Sequence, residues 1–187
     1  MTGYESETAG LLLSLLTLGG AFIFWIFIFL FCIALWIVFS YPYYKMAKNA
    51  HLDNAWLVFV PVGCMYILLN LSRREFNIFN WIKTNDRTKV FKYYLICFGA
   101  YFVITMAISV LCAIPIIGFL FMIMSYLLSM AFSVAVYIFL WRINYDILMT
   151  YGMEEHAMWA SIVSCFVPIV MVVFSFMIMN KEPDYTK

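Results

Sequence analysis

The sequence predicts an all-α integral membrane protein, built as a bundle of four full transmembrane helices plus one short re-entrant or interfacial helix. Three observations predict this class. Hydrophobic residues make up 66% of the chain and charged residues only 11%, against roughly 25% charged residues in soluble domains. Long stretches carry no charge, and crossing a bilayer takes only about 20 apolar residues. Basic residues gather between these stretches, as they do in the cytoplasmic segments of membrane proteins.

The first predicted span covers residues 11–40, which hold no charged side chain. The N-terminus is acidic rather than basic, so this stretch is expected to remain as a span and not to be cleaved as a signal peptide. Trp36, Tyr43 and Tyr44 are predicted anchors at the membrane–water interface, where tryptophan and tyrosine are enriched. Pro42 predicts that the helix bends or ends there, because proline lacks the backbone donor that a helix interior needs.

A short apolar helix is predicted over residues 55–71. Its length is at the lower limit for a span, and Pro61 and Gly63 within it suit a broken helix that enters the membrane and returns. Residues 72–92 follow as an amphipathic basic segment lying in the interface. Trp81 in that segment is a further predicted anchor.

Residues 93–141 carry no charge and are too many for one span. A turn signal of proline and glycine in their middle divides them into predicted spans over 93–113 and 117–141. Trp141 is the predicted anchor at the end of the second. After it, Arg142 and Asp146 form a predicted i,i+4 ion pair at the interface. A last span is predicted over 157–179.

Serines recur every four residues along one of these spans, at Ser125, Ser129 and Ser133. Small residues at this spacing allow two membrane helices to approach closely. We predict that the stripe serves helix packing; a polar path along the helix is the alternative.

The orientation follows from the lysines and arginines. If 55–71 is re-entrant, the basic 45–92 region and the 142–156 loop share one side, and only Lys181 and Lys187 lie on the other. That arrangement predicts a cytoplasmic basic region with both termini outside. If 55–71 crosses instead, the chain has five spans and a cytoplasmic N-terminus.

Two stretches of the chain look alike, residues 44–61 and 145–168. Each has a tyrosine at a predicted helix end, a polar loop with one histidine, an alanine and a tryptophan opening an apolar helix, and a proline downstream. Internal repeats are common in membrane transport folds. The spacings differ by one or more residues, so duplication and coincidence both remain open.

Both histidines of the chain lie in these two loops, next to carboxylates. Two histidines with carboxylates are a donor set for a transition metal. The alternative is that the carboxylates lie near helix N-termini, where the helix dipole favours negative charge. The candidate metal ligands are His51, Asp53, Glu154, Glu155 and His156.

No sequence motif of a zinc peptidase, a serine hydrolase or a nucleotide-binding loop is present. Cys64 and His51 are the one loose pair for a nucleophilic cysteine. The predicted spans contain no charged residue, which argues against a proton-coupled pump built by this chain alone. We therefore predict no catalytic residue, no enzymatic activity and no cofactor.

Two stretches resemble a loose group of small, largely uncharacterised polytopic membrane proteins of Gram-positive bacteria. One is Tyr44-Lys-Met-Ala with Ala-Trp-Leu and Pro61 downstream, and the other is the C-terminal Asn-Lys-Glu-Pro183. The resemblance implies a helical bundle in a bacterial plasma membrane. The group carries glycine where His51 stands, so the first motif departs at that residue.

From these features we predict a non-enzymatic multi-pass protein of the plasma membrane that acts as a packing or accessory subunit of a membrane assembly. Its partners would be the lipid bilayer and either another membrane protein or further copies of this chain. A small homo-oligomeric channel or transporter is the alternative. Nucleic acid is not a predicted partner, because the net charge is only +1.

Overall fold

The computed structural model of the chain describes residues 3–78, 82–112, 114 and 118–185, without the side chains of 3–18 and of Ile82. Predicted anchor Trp81 lies outside these residues. The chain divides into two compact units, residues 1–40 and 41–187. The elements in chain order are helix α1 (Gly3–Asn49), a 3-10 helix (Ala55–Phe59), helix α2 (Pro61–Leu71), strands β1 (Phe76–Ile78) and β2 (Ile82–Thr84), and helices α3 (Arg87–Leu111), α4 (Gly118–Thr150), α5 (Glu154–Phe166) and α6 (Ile169–Ile178).

The first unit is the N-terminal part of α1. Its large apolar side chains are mostly exposed, with Phe22, Trp25 and Phe27 each about two thirds exposed. This composition agrees with the predicted first span. Of the two alternatives predicted at Pro42, a bend or an end, the end is wrong, because α1 continues to Asn49 with this proline inside it.

The last turns of α1 belong to the second unit, and packing explains why they stay helical. Met46 and Ala47 are fully buried. A proline in a helix interior costs about 3 kcal/mol, and fully burying an apolar side chain such as Met46 stabilises the fold by roughly 1.5–3 kcal/mol. Burial of these last turns therefore offsets most of the defect.

Three helices within the described residues are long and apolar enough to cross a membrane: Gly19–Asn49, α3 and α4. The predicted spans 93–113 and 117–141 correspond to α3 and α4, although both helices extend further at the basic end. Helix α3 starts early because the carboxylate of Asp86 caps it, accepting hydrogen bonds from the backbone of Thr88 (3.0 Å) and Lys89 (3.2 Å). Such a cap satisfies donors that a helix start leaves free.

The predicted last span over 157–179 is not one helix. Helix α5 ends at Phe166, and α6 begins after Pro168. Proline has no backbone N–H and clashes with the preceding turn, so the apolar run breaks there. Helix α6 has only 10 residues, about 15 Å at 1.5 Å per residue.

The core of the second unit lies where the helix ends meet. Strands β1 and β2 form an antiparallel hairpin in which Phe76 pairs with Thr84, so the predicted basic segment 72–92 contains this hairpin and the first turns of α3. Phe76 is fully buried and packs edge-on against Phe139 of α4. Fully buried apolar residues of the core also include Met46, Ala47, Val58, Ile67, Leu69, Leu71, Ile147, Leu148 and Ala157.

Candidate functional site

The two stretches that look alike in sequence end their helices with the same backbone turn. After α1, the amide of His51 donates to the carbonyl of Lys48 (3.1 Å) and that of Leu52 to Ala47 (3.0 Å). After α4, the same two bonds run from Gly152 to Met149 (3.5 Å) and from Met153 to Leu148 (2.9 Å). This paired pattern is the Schellman motif. We call residues 44–61 the first copy and 145–168 the second copy.

Both turns place one residue in the left-handed region, with φ 53° at His51 and φ 72° at Gly152. These residues occupy the same position in their copies. Glycine adopts this conformation freely, whereas a side chain opposes it. The histidine therefore stands where the backbone favours glycine.

The core-facing positions of the two helix ends also match. The hydroxyl of Tyr151 lies 3.4 Å from the carbonyl of Met46, so the second copy touches the first. After the turns the copies differ, because a 3-10 helix follows the first and α5 follows the second. The matched buried pairs are Met46 with Ile147, Ala47 with Leu148, and Ala50 with Tyr151.

A buried ion cluster lies at the base of the α3–α4 pair, and we call it the Asp146 cluster. The carboxylate of Asp146 accepts a hydrogen bond from Arg87 Nη2 at 2.7 Å and is approached by Arg142 Nη2 at 3.0 Å. The side chain of Asp146 is 1% exposed and that of Arg87 is 5% exposed. Two guanidinium groups oppose the desolvation of one carboxylate, although Asp146 Oδ1 and Arg142 Nε have no hydrogen-bond partner among the described residues.

Further contacts fix the Arg87 guanidinium. It donates from Nε (3.1 Å) and Nη2 (2.6 Å) to the carbonyl of Arg74, and it lies over the ring of Phe76 at 5.0 Å. Backbone, aromatic ring and carboxylate thus surround it on different sides. The cluster ties the start of α3 and the end of α4 to the segment before the β-hairpin.

The C-terminal tail closes over the same region. Thr150 donates its hydroxyl to Ser72 Oγ (3.0 Å) and accepts the amide of Asp184 (2.9 Å). Tyr185 lies 3.5 Å from the carbonyl of Leu71, and Arg73 stacks over its ring at 4.7 Å. Burial raises the pKa of the Tyr185 hydroxyl, and the nearby Arg73 opposes that rise.

A second feature is a cavity of about 630 Å³ beside the end of α1, which we call the basic cavity. Its charged members are two lysines and one carboxylate, and His51 lies at its edge. Its lining residues are Tyr41, Tyr44, Lys45, Lys48, Asn49, His51, Asn180 and Glu182.

The candidate metal ligands are not assembled into a site. Within the described ranges, no group of three or more His, Cys, Asp or Glu side chains is arranged to hold a metal ion. His51 lines the basic cavity, whereas His156 accepts a hydrogen bond from Trp159 (3.2 Å) and contacts Phe174. Glu154 and Glu155 occupy the first turn of α5, and Asp53 is exposed in the loop after α1.

The environment of the Cys64 thiol does not favour a reactive nucleophile. It is half-buried, and burial raises its pKa to about 11. A cysteine reacts as its thiolate, so a raised pKa lowers the reactive fraction at neutral pH.

The serine stripe is divided between two environments. Ser129 is half-buried and lies 3.1 Å from the hydroxyl of Tyr101 on α3. Ser133, one turn further, is exposed and donates to the carbonyl of Ser129 on its own helix (2.8 Å). Ser125 is half-buried. One member of the predicted packing stripe thus packs within the chain, and another faces outward.

The predicted interface anchors also differ from one another. Trp36 is 39% exposed, whereas Tyr43 and Tyr44 pack against the core, with the ring of Tyr44 5.5 Å from that of Phe59. Trp141 is half-buried beside Tyr145. The two tyrosines therefore contribute to the fold as well as to any interface.

Sequence reasoning identified the pair Arg142–Asp146 but missed Arg87 and the tail. A signal was present, because Asp146 is the one carboxylate between Trp141 and Glu154 and an acidic residue at the end of an apolar helix needs a cation nearby.

Compared with known protein families, curated proteins and solved structures, the chain matches none of them.

Proposed function

We propose that the chain is a non-enzymatic multi-pass membrane protein that acts as a packing or accessory subunit of a membrane assembly. One observation carries this proposal. The most apolar window of each candidate span has none of its residues buried inside the chain, whereas the helix ends form a closed core with a buried ion cluster. The spans therefore present most of their surface to lipid and to helices of other subunits.

We propose further that α1, α3 and α4 are the crossing helices, with the basic region in the cytoplasm of a bacterial cell. The side-chain amide of Asn49 donates to the carbonyl of Met179 (3.0 Å), and Asp184 bonds to Thr150. Asn49 and Thr150 end two crossing helices on one side, and a bilayer core is about 30 Å thick. These bonds support a C-terminal tail on the same side, and hence three crossings in place of the four predicted from hydropathy.

The positive-inside rule supports this arrangement. With three crossings, all 11 lysines and arginines of the chain fall on the side of the β-hairpin and the tail. The four-span arrangement leaves Lys181 and Lys187 on the opposite side. The acidic N-terminus is then the part outside the plasma membrane.

An epitope placed at either end of the chain separates the two arrangements. Three crossings predict that an antibody reaches the N-terminal epitope on intact spheroplasts and reaches the C-terminal epitope only after permeabilisation. Four crossings with both termini outside predict that both epitopes are reached on intact spheroplasts. Detection of both epitopes after permeabilisation is the control for expression.

Purification from the native membrane in mild detergent tests the subunit role. We expect a stoichiometric second membrane protein in the measured mass of the complex. A homo-oligomer with no other protein would contradict the accessory role and favour a channel or transporter, for which solute flux from liposomes is the next measurement.

Two serines of the stripe give a matched pair for that experiment. Ser133→Leu places a bulky side chain on an outward-facing position and is expected to reduce the yield of the complex while the chain still folds. Ser129→Leu disturbs the contact with Tyr101 and is expected to lower the melting temperature of the chain itself. If Ser133→Leu leaves the complex intact, the outward part of the stripe has no role in assembly.

A further inference from the structure

The basic cavity has two walls that are tied to each other. Its charged wall is formed by the last turns of α1, in which Lys45 and Lys48 lie three residues apart and so on the same helix face. The other wall is the tail, with Asn180 and Glu182. The bond from Asn49 to Met179 joins the two walls directly. The cavity is therefore a surface cavity whose two walls are held together by a hydrogen bond beside it.

Neither lysine in this wall forms an ion pair within the described part of the chain, although Glu182 lines the same cavity. Lys45 is half-buried and Lys48 is exposed. At the same positions, the second copy has Asp146 and Met149. The end of α1 is thus basic at positions where its matched helix is acidic or neutral.

His51 adds a third donor at the cavity edge. Its left-handed backbone conformation disfavours any side chain, and the second copy has glycine at the same turn. The turn itself does not require an imidazole. His51 instead places an imidazole in the lining of the cavity, where its ring nitrogens are available to a ligand.

We propose that the basic cavity binds the phosphate group of an anionic phospholipid headgroup. Lys45, Lys48 and His51 supply donors for the phosphate oxygens, and Tyr41 and Tyr44 are amphipathic side chains suited to the headgroup layer. Its volume falls in the range of small-molecule sites, roughly 300–1,000 Å³. The exposed carboxylate of Glu182 accepts a hydrogen bond from a headgroup hydroxyl, which favours phosphatidylglycerol. This assignment rests on the proposed membrane location of α1.

The test uses the full-length protein in neutral detergent micelles, with bound lipid counted by native mass spectrometry. Dimyristoyl phosphatidylglycerol is expected to be retained, and dimyristoyl phosphatidylcholine, with the same chains and no net charge, is expected to be lost. The double variant Lys45→Gln/Lys48→Gln is expected to weaken retention about thirtyfold, since each lysine near an anionic surface contributes roughly fivefold.

Matched variants separate this from a general charge effect. Lys83→Gln/Lys92→Gln removes two exposed lysines outside the cavity and is expected to bind as the wild type does. Lys45→Arg/Lys48→Arg keeps the charge and is expected to retain the lipid, which shows that the site tolerates substitution. Equal loss in the cavity variant and in the distant variant, or equal retention of both lipids, would overturn the proposal.

Inorganic phosphate distinguishes the two sources of the ligand. Phosphate is added at about 10 mM, a concentration at which weak anion sites fill. If the bound lipid stays in place, the site is a headgroup site. If phosphate alone displaces it and stabilises only the protein with both lysines, the site takes free phosphate and the lipid assignment is wrong. Loss of lipid binding in a chain that still purifies with its membrane partner would overturn this inference alone and leave the subunit role standing.

Discussion

The first copy and the second copy share a helix end and use it in opposite ways. Both have the same backbone turn and the same buried positions. In the second copy, Asp146 turns into the core and meets two arginines. In the first copy, Lys45 at the same position lines the basic cavity. One backbone motif therefore supports a buried ion cluster in one place and a charged surface in the other.

The difference shows which features belong to the motif and which belong to its surroundings. Both helix ends have a residue in the left-handed region and three buried positions that face the core. The charged position one turn earlier is free to vary, because its neighbours decide whether a charge is buried or solvated. In the second copy, the neighbours are Arg87 and Arg142.

The largest expected difference between the copies comes from that charged position. Asp146→Ala leaves buried Arg87 without its carboxylate, and removal of one partner of a buried pair costs about 3–5 kcal/mol. Lys45→Ala at the matched position removes a half-buried side chain that forms no ion pair within the described residues, and its effect is expected to stay within about 0.5 kcal/mol. The measurement is the thermal unfolding of both variants in the same detergent. Similar losses for the two variants would mean that the copies are equivalent at this position.

Substitutions at the left-handed residue of each copy are expected to change the free energy of unfolding in opposite directions. Gly152→Ala places a side chain at φ 72° with no atom near its new Cβ, so only backbone strain acts, at about 1–2 kcal/mol of destabilisation. His51→Gly removes that strain but adds unfolded-state entropy of about 0.4–1 kcal/mol. For His51→Gly, the sum of these two effects is a small increase in the free energy of unfolding, which denaturant titration in micelles can measure. Destabilisation by His51→Gly would show that the imidazole contributes to the fold itself.

The smallest expected effect depends on pH and concerns Tyr151, which stands where the first copy has Ala50. Burial raises the pKa of Tyr151 above its ordinary value, so the folded state binds its proton more tightly than the unfolded state does. The resulting stability is fully present below the unfolded pKa of about 10 and is lost as pH rises above it.

The variant Tyr151→Phe removes this ionisation and leaves the ring in place. We expect its unfolding midpoint to fall less than that of the wild type between pH 9 and pH 11 (about one unit on either side of the ordinary tyrosine pKa). The control is the pair of midpoints at pH 7, where both proteins carry an uncharged ring. Parallel pH profiles for the two proteins would contradict the argument.

Much of the fold could be predicted from hydropathy, because that pattern is local. The charge-free residues 93–141 correctly indicated two helices, and the i,i+4 spacing of Arg142 and Asp146 is confirmed by their contact at 3.0 Å. The break before α6 was harder to predict, since Pro168 sits within an otherwise continuous apolar run. A hydropathy profile gives the length of such a run, but it does not show that proline lacks the backbone N–H that a continuous helix needs.

The candidate site was only partly predictable, because its contacts join distant parts of the chain. Arg87 reaches Asp146 across 59 positions, and Asn49 reaches Met179 across 130. No local pattern encodes such pairings. The likeness of the two stretches was visible in the sequence from Tyr44 and Tyr145. That His51 and Gly152 occupy the same position of a turn was not visible, because the two residues differ and only the backbone shows the match.

The pairing of Arg87 with Asp146 has a consequence for how the chain is made. Arg87 leaves the ribosome 59 residues ahead of its carboxylate, at the start of a helix that is already apolar enough to insert. Until α4 follows, the contacts of that guanidinium that come from earlier residues are with the carbonyl of Arg74 and the ring of Phe76. If α3 inserted alone, the Arg87 guanidinium would lack the carboxylate that it meets in the folded chain. We therefore expect α3 and α4 to insert into the bilayer together as one helical hairpin, in which the ion pair between Arg87 and Asp146 forms once α4 is complete.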